Sequence, residues 1–437
     1  MAGLAQTLNN LVDFECGLIT YVSDVPTQAC EPAVQIYLAE FQDPTVISDG
    51  DRPRIPNTSR QASGAGLTRT EALWSTIGEA VERYSASIYV HIPRVTALAD
   101  DVYGGRAYLE RLIHFTDKSF SARDVNFARP DPEIERDWIM AKRLLDGSDT
   151  AIPASLALMG FDAPRESDIL DRTYSTGLAC HITQEQAVVS GLHELIERDA
   201  YSSYWLTGTA PGVLSHSLVK RHLPQNFYEQ IELLGLNMRV LALRTDCHTP
   251  VMVTVVAVPG GGVATGASCN LDPVQALRKA VVEAFHTFNW CLDMKRLNRE
   301  IRDPTEIDDF KDHVAWYLTP ERSNAYPWFT QEMVEIDAFP DDWAPIKINT
   351  LTPQAQVDML VGRLTAAGFD PSFADLTPPD VRDAGFHVVR AFCSGLQPLS
   401  AGYTAVHTDP RRLESFMAWR GTPGAVFVTL DPPHCFP

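Results

Sequence analysis

The stretch Ser190-Gly-Leu-His-Glu-Leu-Ile-Glu-Arg-Asp-Ala200 carries the pattern that decides the fold of this 437-residue chain. Residues 184–200 have helical periodicity, and at 3.6 residues per turn the polar side chains of this predicted helix form one stripe. Apolar side chains, among them Leu192 and Ile196, form the opposite face. The stretch therefore predicts an amphipathic helix that presents a Glu-x-x-Glu-Arg motif. Its polar stripe consists of Gln186, Ser190, Glu194, Glu197 and Arg198.

A second copy of this motif lies earlier in the chain. Residues 75–83 have the sequence STIGEAVER, within a helix predicted over residues 73–85. One such motif alone is typical of a solvated helix face, but two copies favour a shared site. Small residues within both stripes predict a shallow trough that admits a ligand. The polar stripe consists of Ser75, Glu79, Glu82 and Arg83, and the small residues are Ala72, Ala187 and Gly191.

Two facing stripes would bring four carboxylates together. Their repulsion in a partly dry cleft would be strongly unfavourable unless cations lie between them. Mg²⁺ prefers a few carboxylates together with water and phosphate oxygens, and Arg83 and Arg198 beside the carboxylates indicate that a polyphosphate completes the coordination. The stripes therefore predict a site for Mg²⁺ and a nucleotide. The predicted metal ligands are Glu79, Glu82, Glu194 and Glu197.

Composition and motif content exclude several other classes of protein. The formal net charge of −20, from 36 Lys and Arg against 56 Asp and Glu, repels nucleic acid and anionic membranes over most of the surface. No apolar run approaches the roughly 20 residues that span a bilayer, and no Lys or Arg precedes Arg52, so we expect neither a membrane span nor a secretory signal.

The eight cysteines form no CxxC pair and are expected to be reduced thiols in a cytoplasmic protein. Without P-loop, HExxH or GxSxG motifs, the corresponding NTPase and hydrolase classes have no support.

The remaining pattern predicts an α/β chain of mixed α+β type, with helices packed on β-sheets. Strands are predicted over residues 238–244, 251–258, 263–268, 387–392 and 425–430. A further helix is predicted to begin at Asp272-Pro273. The stretch 130–137 and the stretch 303–345, which is rich in Asp, Pro and Trp, are expected to be surface connections. His193, about 100° away from the polar stripe, is interpreted as a residue that flanks the site.

Several motifs in fixed order resemble the YcaO family. The first helix follows Ala62-Ser-Gly-Ala-Gly-Leu-Thr68, and the second follows Ser175-Thr-Gly-Leu-Ala179. Residues 266–273 and 276–283 resemble the third motif of the family, and Val388-Val-Arg390 with Gly395-Leu-Gln-Pro-Leu399 resembles its late strand and loop. Gly17-Leu-Ile-Thr20 is similar to the opening of azoline-forming members. The resemblance covers most of the chain.

This resemblance implies a YcaO-type ATP-binding fold in which the two motif helices hold ATP through Mg²⁺. It also implies activation of a peptide backbone amide: a nucleophile adds to the carbonyl carbon, ATP phosphorylates the amide oxygen, and phosphate leaves. In azoline-forming members the nucleophile is a Cys, Ser or Thr side chain of a ribosomal precursor peptide, and the product is a thiazoline or oxazoline. The ATP-binding residues that it implies are Ser75, Glu79, Glu82, Arg83, Gln186, Ser190, Glu194, Glu197, Arg198, Lys279 and Glu283.

The chain departs from the family pattern in its motifs. Ala65 stands where members usually have Lys, Gln186 where they usually have Glu, and Ser190 where they usually have His or Gln. Lys279 stands where they often have Arg. The loss of one carboxylate at Gln186 removes one expected metal contact.

The C-terminal segment Pro433-His-Cys-Phe-Pro437 is a further departure, because azoline-forming members typically end in Pro-x-Pro-x-Pro. Prolines hold an extended segment at little entropic cost, so a tail of this kind can place a free carboxylate in a cleft. Outside such a family, Pro-rich termini are often frayed ends. The catalytic residues that we expect are therefore Pro437, through its α-carboxylate, together with Arg83 and Arg198.

The length of the chain predicts a partner protein. Residues 1–55 are predicted to be an N-terminal segment that contacts a partner or the precursor, and residues 56–437 are predicted to be the YcaO domain with its Pro-rich tail. Fused azoline-forming enzymes carry an additional ThiF-like domain ahead of the YcaO domain. We therefore expect a separate ThiF-like partner that binds the leader peptide of the precursor in a complex with this chain. The sequence leaves open whether a flavin-dependent dehydrogenase then oxidises the azoline.

Two alternatives stand beside an ATP-dependent peptide cyclodehydratase. A YcaO-type enzyme can instead form a thioamide or an amidine from sulfide or an amine, although the Pro-rich tail favours the azoline branch. A non-catalytic scaffold that presents a peptide to another enzyme is disfavoured, because a carboxylate cluster is costly to bury without a ligand.

Overall fold

Three β-sheets with helices packed on them form the protein in a computed structural model, which describes residues 3–44, 60–121, 127–343, 348–422 and 431–437. The strands are β1 (Ile19–Val25), β2 (Gln35–Phe41), β3 (Gln61–Gly66), β4 (Arg94–Ala97), β5 (Arg136–Arg143), β6 (Asp149–Pro153), β7 (Leu178–His181), β8 (Gly212–Leu214), β9 (Met238–Leu243), β10 (Val251–Ala257), β11 (Val263–Cys269), β12 (Glu335–Ile336), β13 (Ser372–Asp375) and β14 (His387–Phe392). The helices are α1 (Leu4–Leu11), α2 (Arg69–Ser87), α3 (Gly105–Arg111), α4 (Asp117–Phe120), α5 (Ala154–Ala157), α6 (Gln184–Thr207), α7 (His216–His222), α8 (Gln225–Leu233), α9 (Pro273–Arg296), α10 (Phe310–Trp316), α11 (Pro320–Asn324), α12 (Pro327–Thr330), α13 (Pro353–Ala366), α14 (Pro379–Asp383) and α15 (Pro410–Trp419).

The order of the strands defines the three sheets. The first sheet is β1-β2-β3, the second is β11-β10-β9-β8-β12, and the third is β4-β5-β13-β14-β7 with β6 paired to β5. Among the described strands, β8 and β12 form the parallel pair, and the other pairs are antiparallel. The mixed α and β fold with helices on sheets is therefore as predicted.

The central strand β10 shows why the second sheet lies between two layers of helices. Its residues are apolar almost without interruption, which is typical of a strand covered on both faces. Val253 and Val255 belong to the core cluster that contains the buried face of α6, whereas Met252 and Val256 belong to the cluster that contains α9. Because side chains alternate along a strand, α6 and α9 cover opposite faces of this sheet.

The two predicted motif helices are present, and both are longer than predicted. Helix α2 includes residues 73–85, and a capping box of Thr68 and Glu71 fixes its start. Helix α6 continues past Ala200 to Thr207, because its second half buries aromatic side chains that the polar stripe does not predict. It packs on β7 and β14 of the third sheet and on β11 of the second.

The predicted strands agree with the structure within one or two residues wherever it describes them. These are β9, β10, β11 and β14, and Asp272 caps the start of α9 as predicted. The strand predicted over residues 425–430 lies outside the described residues. All eight cysteines are free thiols, as expected. No described helix combines the length and the apolar character that crossing a membrane requires.

The prediction that residues 303–345 form a surface connection is wrong. Much of the stretch is helical, over α10, α11 and α12, and Trp328 and Trp343 are fully buried. The Asp and Pro residues mark helix starts here: Asp309 caps α10, and α11 and α12 each begin with a proline. The burial of aromatic surface outweighs the turn-forming composition.

The second predicted surface connection, residues 130–137, and the predicted N-terminal segment, residues 1–55, compare with the structure in different ways. Residues 130–135 form a loop, but Arg136 begins β5 and is fully buried, so the surface connection is shorter than predicted. Within the N-terminal segment, β2 pairs with β3, and Ile36 lies opposite the buried Ala65. The first sheet thus joins the N-terminal segment to the strand that precedes the first motif helix.

Candidate functional site

The candidate site lies where the motif helices meet the strand β7. Glu82 of α2 accepts a hydrogen bond from the backbone N–H of Cys180 at 2.9 Å. Burial, together with the nearby carboxylates of Glu79 and Glu194, holds the pKa of Glu82 well above its usual range. The glutamates of the two motif copies therefore interact across one site, as predicted.

The glutamates of α6 are also oriented by backbone N–H groups. Glu194 accepts a hydrogen bond from Gly177 at 3.0 Å, and Glu197 accepts one from Cys269 at 3.1 Å. Burial raises the pKa of Glu197 to about 7, a shift that neighbouring Arg198 opposes. With Glu82, three carboxylates are thus held in place by backbone N–H groups of β7, of the residue before β7 and of the last residue of β11.

The predicted trough of small residues is wrong. Ala72 and Ala187 are fully buried, and a Cβ atom on Gly191 would lie only 2.6 Å from the carbonyl oxygen of Gly177. Gly177 itself has a φ of +79°, which favours glycine. The small residues therefore serve close packing of the motif helices and leave no space for a ligand.

The third motif places a cation at the centre of the site. Burial alone would lower the pKa of Lys279, but the carboxylates around it outweigh that effect and raise its pKa. These carboxylates come from all three long helices and are Glu283, Glu197, Glu194 and Glu82. With Glu79, five carboxylates lie close to four cationic side chains, Lys279, Arg83, Arg198 and Arg390, which leaves a formal excess of one negative charge.

Both motif arginines have guanidinium N–H groups without a hydrogen-bond partner among the described residues. Arg83 forms an ion pair with Glu79 at 2.5 Å and donates to the carbonyl of Gln61 at 2.7 Å. Arg198 donates to Glu194 at 3.2 Å. The Nε atoms of Arg83 and Arg198 are buried and have no hydrogen-bond partner within the ranges that the structure describes. A phosphate oxygen would satisfy these donors.

The other predicted nucleotide-binding residues lie along the same two helices. Ser75 and Ser190 are exposed, and the Gln186 side chain accepts a hydrogen bond from Thr183 near the start of α6 at 3.2 Å. Over the described part of the chain, no three His, Cys, Asp or Glu side chains already converge on a point that would hold a metal ion. The donor set still fits Mg²⁺, because it offers hard carboxylate oxygens and an excess of negative charge.

The C-terminal tail is buried against the site and is not a frayed end. The guanidinium of Arg198 lies over the ring of Phe436, 4.2 Å from its centroid. Cys435 is fully buried, and its carbonyl accepts a hydrogen bond from Thr265 of β11. Tyr317 donates to the carbonyl of Pro433 at 2.5 Å. The tail therefore ends next to the second motif helix.

Sequence reasoning missed a buried network directly after the second motif. Arg412 of α15 bridges Asp199 and Asp246, and Asp199 also accepts from the backbone N–H of Gln397 at 2.7 Å. Burial raises the pKa of Asp199 above its usual value, although the charge of Arg412 opposes this shift. The network ties α6 to the Gly395–Leu399 loop. The only signal in the sequence is the position of Asp199 beside Arg198.

His193 also lies beside the site, as its interpretation as a flanking residue predicts. Its side chain is buried, and burial together with the charges of Lys279 and Arg363 lowers its pKa to about 3. The imidazole is therefore neutral at neutral pH.

Comparison with known sequences gives one family and two relatives. A family model described as YcaO cyclodehydratase, ATP- and Mg²⁺-binding, matches residues 63–397. An uncharacterized protein of Methanothermobacter thermautotrophicus is 26% identical over 361 residues, which are 80% of this chain and 83% of that protein. An uncharacterized protein in the tfuA 3′ region of Rhizobium leguminosarum bv. trifolii is 27% identical over 369 residues, which are 79% of this chain and 80% of that protein.

Solved structures share the fold. A heterocyclase in complex with substrate and cofactor superposes with a TM-score of 0.75 at 19% identity, over 100% of this chain and 57% of that one. YcaO from Methanopyrus kandleri bound with AMPPCP and Mg²⁺ gives a TM-score of 0.60 at 18% identity, over 90% of this chain and 89% of that one. The E. coli microcin synthetase McbBCD complex with pro-MccB17 bound gives 0.58 at 16% identity, over 85% and 86%. This chain thus spans little more than half the length of the first heterocyclase, and these likenesses confirm the predicted fold.

Proposed function

Because the chain belongs to the YcaO family of ATP- and Mg²⁺-binding cyclodehydratases, we propose that it is an ATP-dependent peptide cyclodehydratase. The proposed substrates are Cys, Ser or Thr residues of a ribosomal precursor peptide, and the proposed products are thiazolines or oxazolines. One observation carries the proposal: Arg198 touches the carboxylate cluster on one side and the C-terminal tail on the other. Arg198, which we propose binds phosphate, thus lies directly against the C-terminal tail.

The proposed metal ligands are the four motif glutamates, and the proposed nucleotide contacts come from all three long helices. Backbone N–H groups fix the carboxylates of Glu82, Glu194 and Glu197, so the ligands are oriented before a metal binds. The excess of negative charge favours a divalent cation. The metal ligands would be Glu79, Glu82, Glu194 and Glu197, and the further nucleotide contacts would be Ser75, Arg83, Gln186, Ser190, Arg198, Lys279 and Glu283.

The remaining chemistry is the activation of an amide oxygen. When bound, ATP with Mg²⁺ supplies a phosphoryl group that makes this poor leaving group a good one. Arg83 and Arg198 would donate N–H groups to phosphate oxygens, including the Nε–H groups that lack a hydrogen-bond partner among the described residues, and so stabilise the charge that develops there. Arg198 would hold the phosphate close to the tail, where the peptide amide has to lie. Catalysis by Pro437 through its α-carboxylate remains a prediction.

Incubation of the purified chain with ATP, Mg²⁺ and a Cys-rich precursor peptide tests the proposal. Ring formation removes one water per ring, which mass spectrometry detects, and releases one phosphate per ring. Exchange of an amide oxygen for sulfur, when sulfide is supplied, would establish the thioamide alternative instead. Absence of phosphate release under every condition would favour the non-catalytic scaffold.

Arg198→Lys is expected to lower kcat/KM for ATP by about 10-fold or more, equivalent to about 1.4 kcal/mol of transition-state stabilisation. A guanidinium can bind two phosphate oxygens at once, whereas an ammonium acts as a point charge. Arg83→Lys is expected to have an effect of the same order. Phosphate release at varied ATP concentration measures both.

The matched control for these variants is Arg411→Lys. Arg411 is 78% exposed, and its charge partner is Asp409, so the same substitution there should leave kcat/KM unchanged. Unaltered kinetics in the Arg83 and Arg198 variants would mean that these arginines only brace the helices.

We expect a leader-binding partner to raise the rate of peptide modification. A partner that holds the leader keeps the rest of the peptide close to the site. The encounter then takes place within one complex, which raises the effective concentration of the peptide at the site. Ring formation with and without a ThiF-like protein measures the effect, and a leaderless peptide serves as the control because the partner should not accelerate its reaction. Full activity on leaderless peptide without any second protein would contradict the proposal.

A further inference from the structure

An aromatic side chain of the C-terminal tail lies against the guanidinium of Arg198. The central carbon of the guanidinium is 4.2 Å from the centroid of the Phe436 ring. Phe436 is 4% exposed, and the Arg198 side chain is 18% exposed. The attraction between a cation and an aromatic face grows when water is kept away from both. Burial therefore strengthens this contact.

The aromatic ring and the nearby carboxylates hold the guanidinium by different means. Nη2 of Arg198 donates a hydrogen bond to Glu194 at 3.2 Å, and Nε lies 4.0 Å from a carboxylate oxygen of Glu197. A carboxylate takes up N–H donors, whereas an aromatic face attracts the positive charge as a whole and offers no lone pair. The ring can thus restrain the guanidinium and still leave N–H groups for a phosphate oxygen.

The Phe436 ring is itself held firmly. It packs edge-on against the ring of Tyr201, and the two centroids are 4.6 Å apart. Its backbone N–H donates to Nδ1 of His434 at 3.2 Å. Tyr201 follows Arg198 by three residues on α6, so it lies on the same face of that helix. The ring is therefore fixed relative to the helix that carries Arg198.

The strand β11 holds both the tail and a proposed metal ligand. The carbonyl of Cys435 accepts a hydrogen bond from Thr265, and Sγ of Cys435 donates to the carbonyl of Val263 at 3.2 Å. Cys269 at the end of the same strand donates its backbone N–H to Glu197. The residue before Phe436 and the carboxylate beside Arg198 are thus anchored to one strand.

We propose that Phe436 is a positioning residue, whose ring holds the Arg198 guanidinium in the orientation that stabilises charge on the phosphate oxygens. The inference rests on the proposed function, since it takes Arg198 as a phosphate-binding residue. The hydrogen bond from Arg198 to Glu194 does not involve the ring, so ground-state binding of ATP should depend on the ring only slightly. Orientation matters most in the transition state. Weakening the contact should therefore lower kcat and leave KM for ATP nearly unchanged.

Fluorinated phenylalanines at position 436 of the full chain test this inference. Fluorine withdraws electron density from the ring face but changes the size of the ring little, so it weakens the attraction to a cation and preserves the packing. With ATP, Mg²⁺ and a Cys-rich precursor peptide, 4-fluorophenylalanine should lower kcat for phosphate release slightly. The 3,4,5-trifluoro ring should lower it by about 10-fold or more, because small displacements of a catalytic group are costly. KM for ATP should stay within about 2-fold.

Phe436→Leu keeps an apolar side chain without an aromatic face, and it should resemble the trifluoro chain. Should this variant not fold, the fluorinated chains decide. Equal kcat for phenylalanine and its trifluoro form, or a rise in KM that accounts for the whole effect, would overturn the proposal.

The matched control is trifluorophenylalanine at position 416. Phe416 is 1% exposed, and its ring contacts the rings of Tyr204 and Trp419. The substitution there alters a ring that is equally buried but lies outside the proposed site, so kcat should not change. An equal loss of kcat at both positions would mean that fluorination acts through general destabilisation, and it would refute a specific role of Phe436.

Fluorine NMR separates this inference from the proposed reaction, because it needs no turnover. The signal of 4-fluorophenylalanine at position 436 should shift when Mg²⁺ and a non-hydrolysable ATP analogue bind, and the shift should be much smaller in Arg198→Lys. Such a shift in a chain that never releases phosphate would support the contact of Phe436 with a phosphate-binding Arg198 and refute the cyclodehydratase. Ring formation together with an unmoved signal, while calorimetry shows the analogue bound, would refute the role of Phe436 and leave the proposed function standing.

Discussion

Glu197→Gln is expected to lower ATP turnover by at least about 100-fold and to leave the protein folded. Glu197 is a proposed ligand of Mg²⁺, and an uncharged amide binds the metal ion more weakly because it does not neutralise the charge of the ion. The amide oxygen can still accept the hydrogen bond from Cys269 that now reaches Glu197. Phosphate release and a circular dichroism melt measure the two effects, and Glu82→Gln should behave in the same way.

The stability of these variants follows from the charge of the site. Burial and neighbouring carboxylates raise the pKa of Glu82 and Glu197, so the charged forms are disfavoured in the metal-free protein. Removing one charge should therefore leave Tm equal or slightly higher. Glu31→Gln is the matched control: Glu31 is also buried and accepts a backbone hydrogen bond from Gln28, but it lies outside the cluster. Turnover at the unsubstituted rate in both site variants would overturn the metal assignment.

The site could be predicted from the sequence where helix periodicity decides which side chains share a face. The two Glu-x-x-Glu-Arg stripes interact as predicted, because a spacing of three and four residues fixes one face of a helix whatever it packs against. Lys279 and Glu283 of the third motif could be predicted as site residues only from the resemblance to the family. The central position of Lys279 depends on how α9 packs on β11, which no local pattern specifies.

Other features depend on long-range packing, and there local patterns misled. The small residues of the stripes suggested space for a ligand, but Gly191 lies against the backbone of Gly177, which comes from the chain before α6. The stretch 303–345 has the composition of a loop, but its Trp328 and Trp343 are buried by residues distant in sequence. The backbone donors of Gly177, Cys180 and Cys269 carry no side-chain signal at all.

The tail is part of the site because it packs against it, whether or not its α-carboxylate takes part in catalysis. Thr265 and Tyr317 donate hydrogen bonds to its carbonyl groups. The Phe436 ring contacts the Arg198 guanidinium, and its centroid lies 4.6 Å from that of the Tyr201 ring. Loss of the tail would expose one face of the Arg198 guanidinium to water.

Deletion of Cys435 to Pro437 is therefore expected to lower ring formation by about 100-fold or more, the scale of a lost general base. ATP affinity should change little, because the proposed nucleotide contacts lie on α2, α6 and α9 and none lies on the tail. A Gly-Ser-Gly extension after Pro437 separates the two roles of the tail: it keeps Phe436 against Arg198 but displaces the α-carboxylate. If that carboxylate is the base that takes the proton from the attacking Cys, Ser or Thr, the extension should be as harmful as the deletion, whereas the same three residues placed before Met1 should have no effect.

Cys435→Pro, which restores the Pro-x-Pro-x-Pro pattern, should be tolerated. Ring formation is followed by mass shift and ATP affinity by calorimetry. An extended enzyme that forms rings at the full rate would remove the carboxylate from the mechanism, and a truncated enzyme that does so would remove the tail altogether.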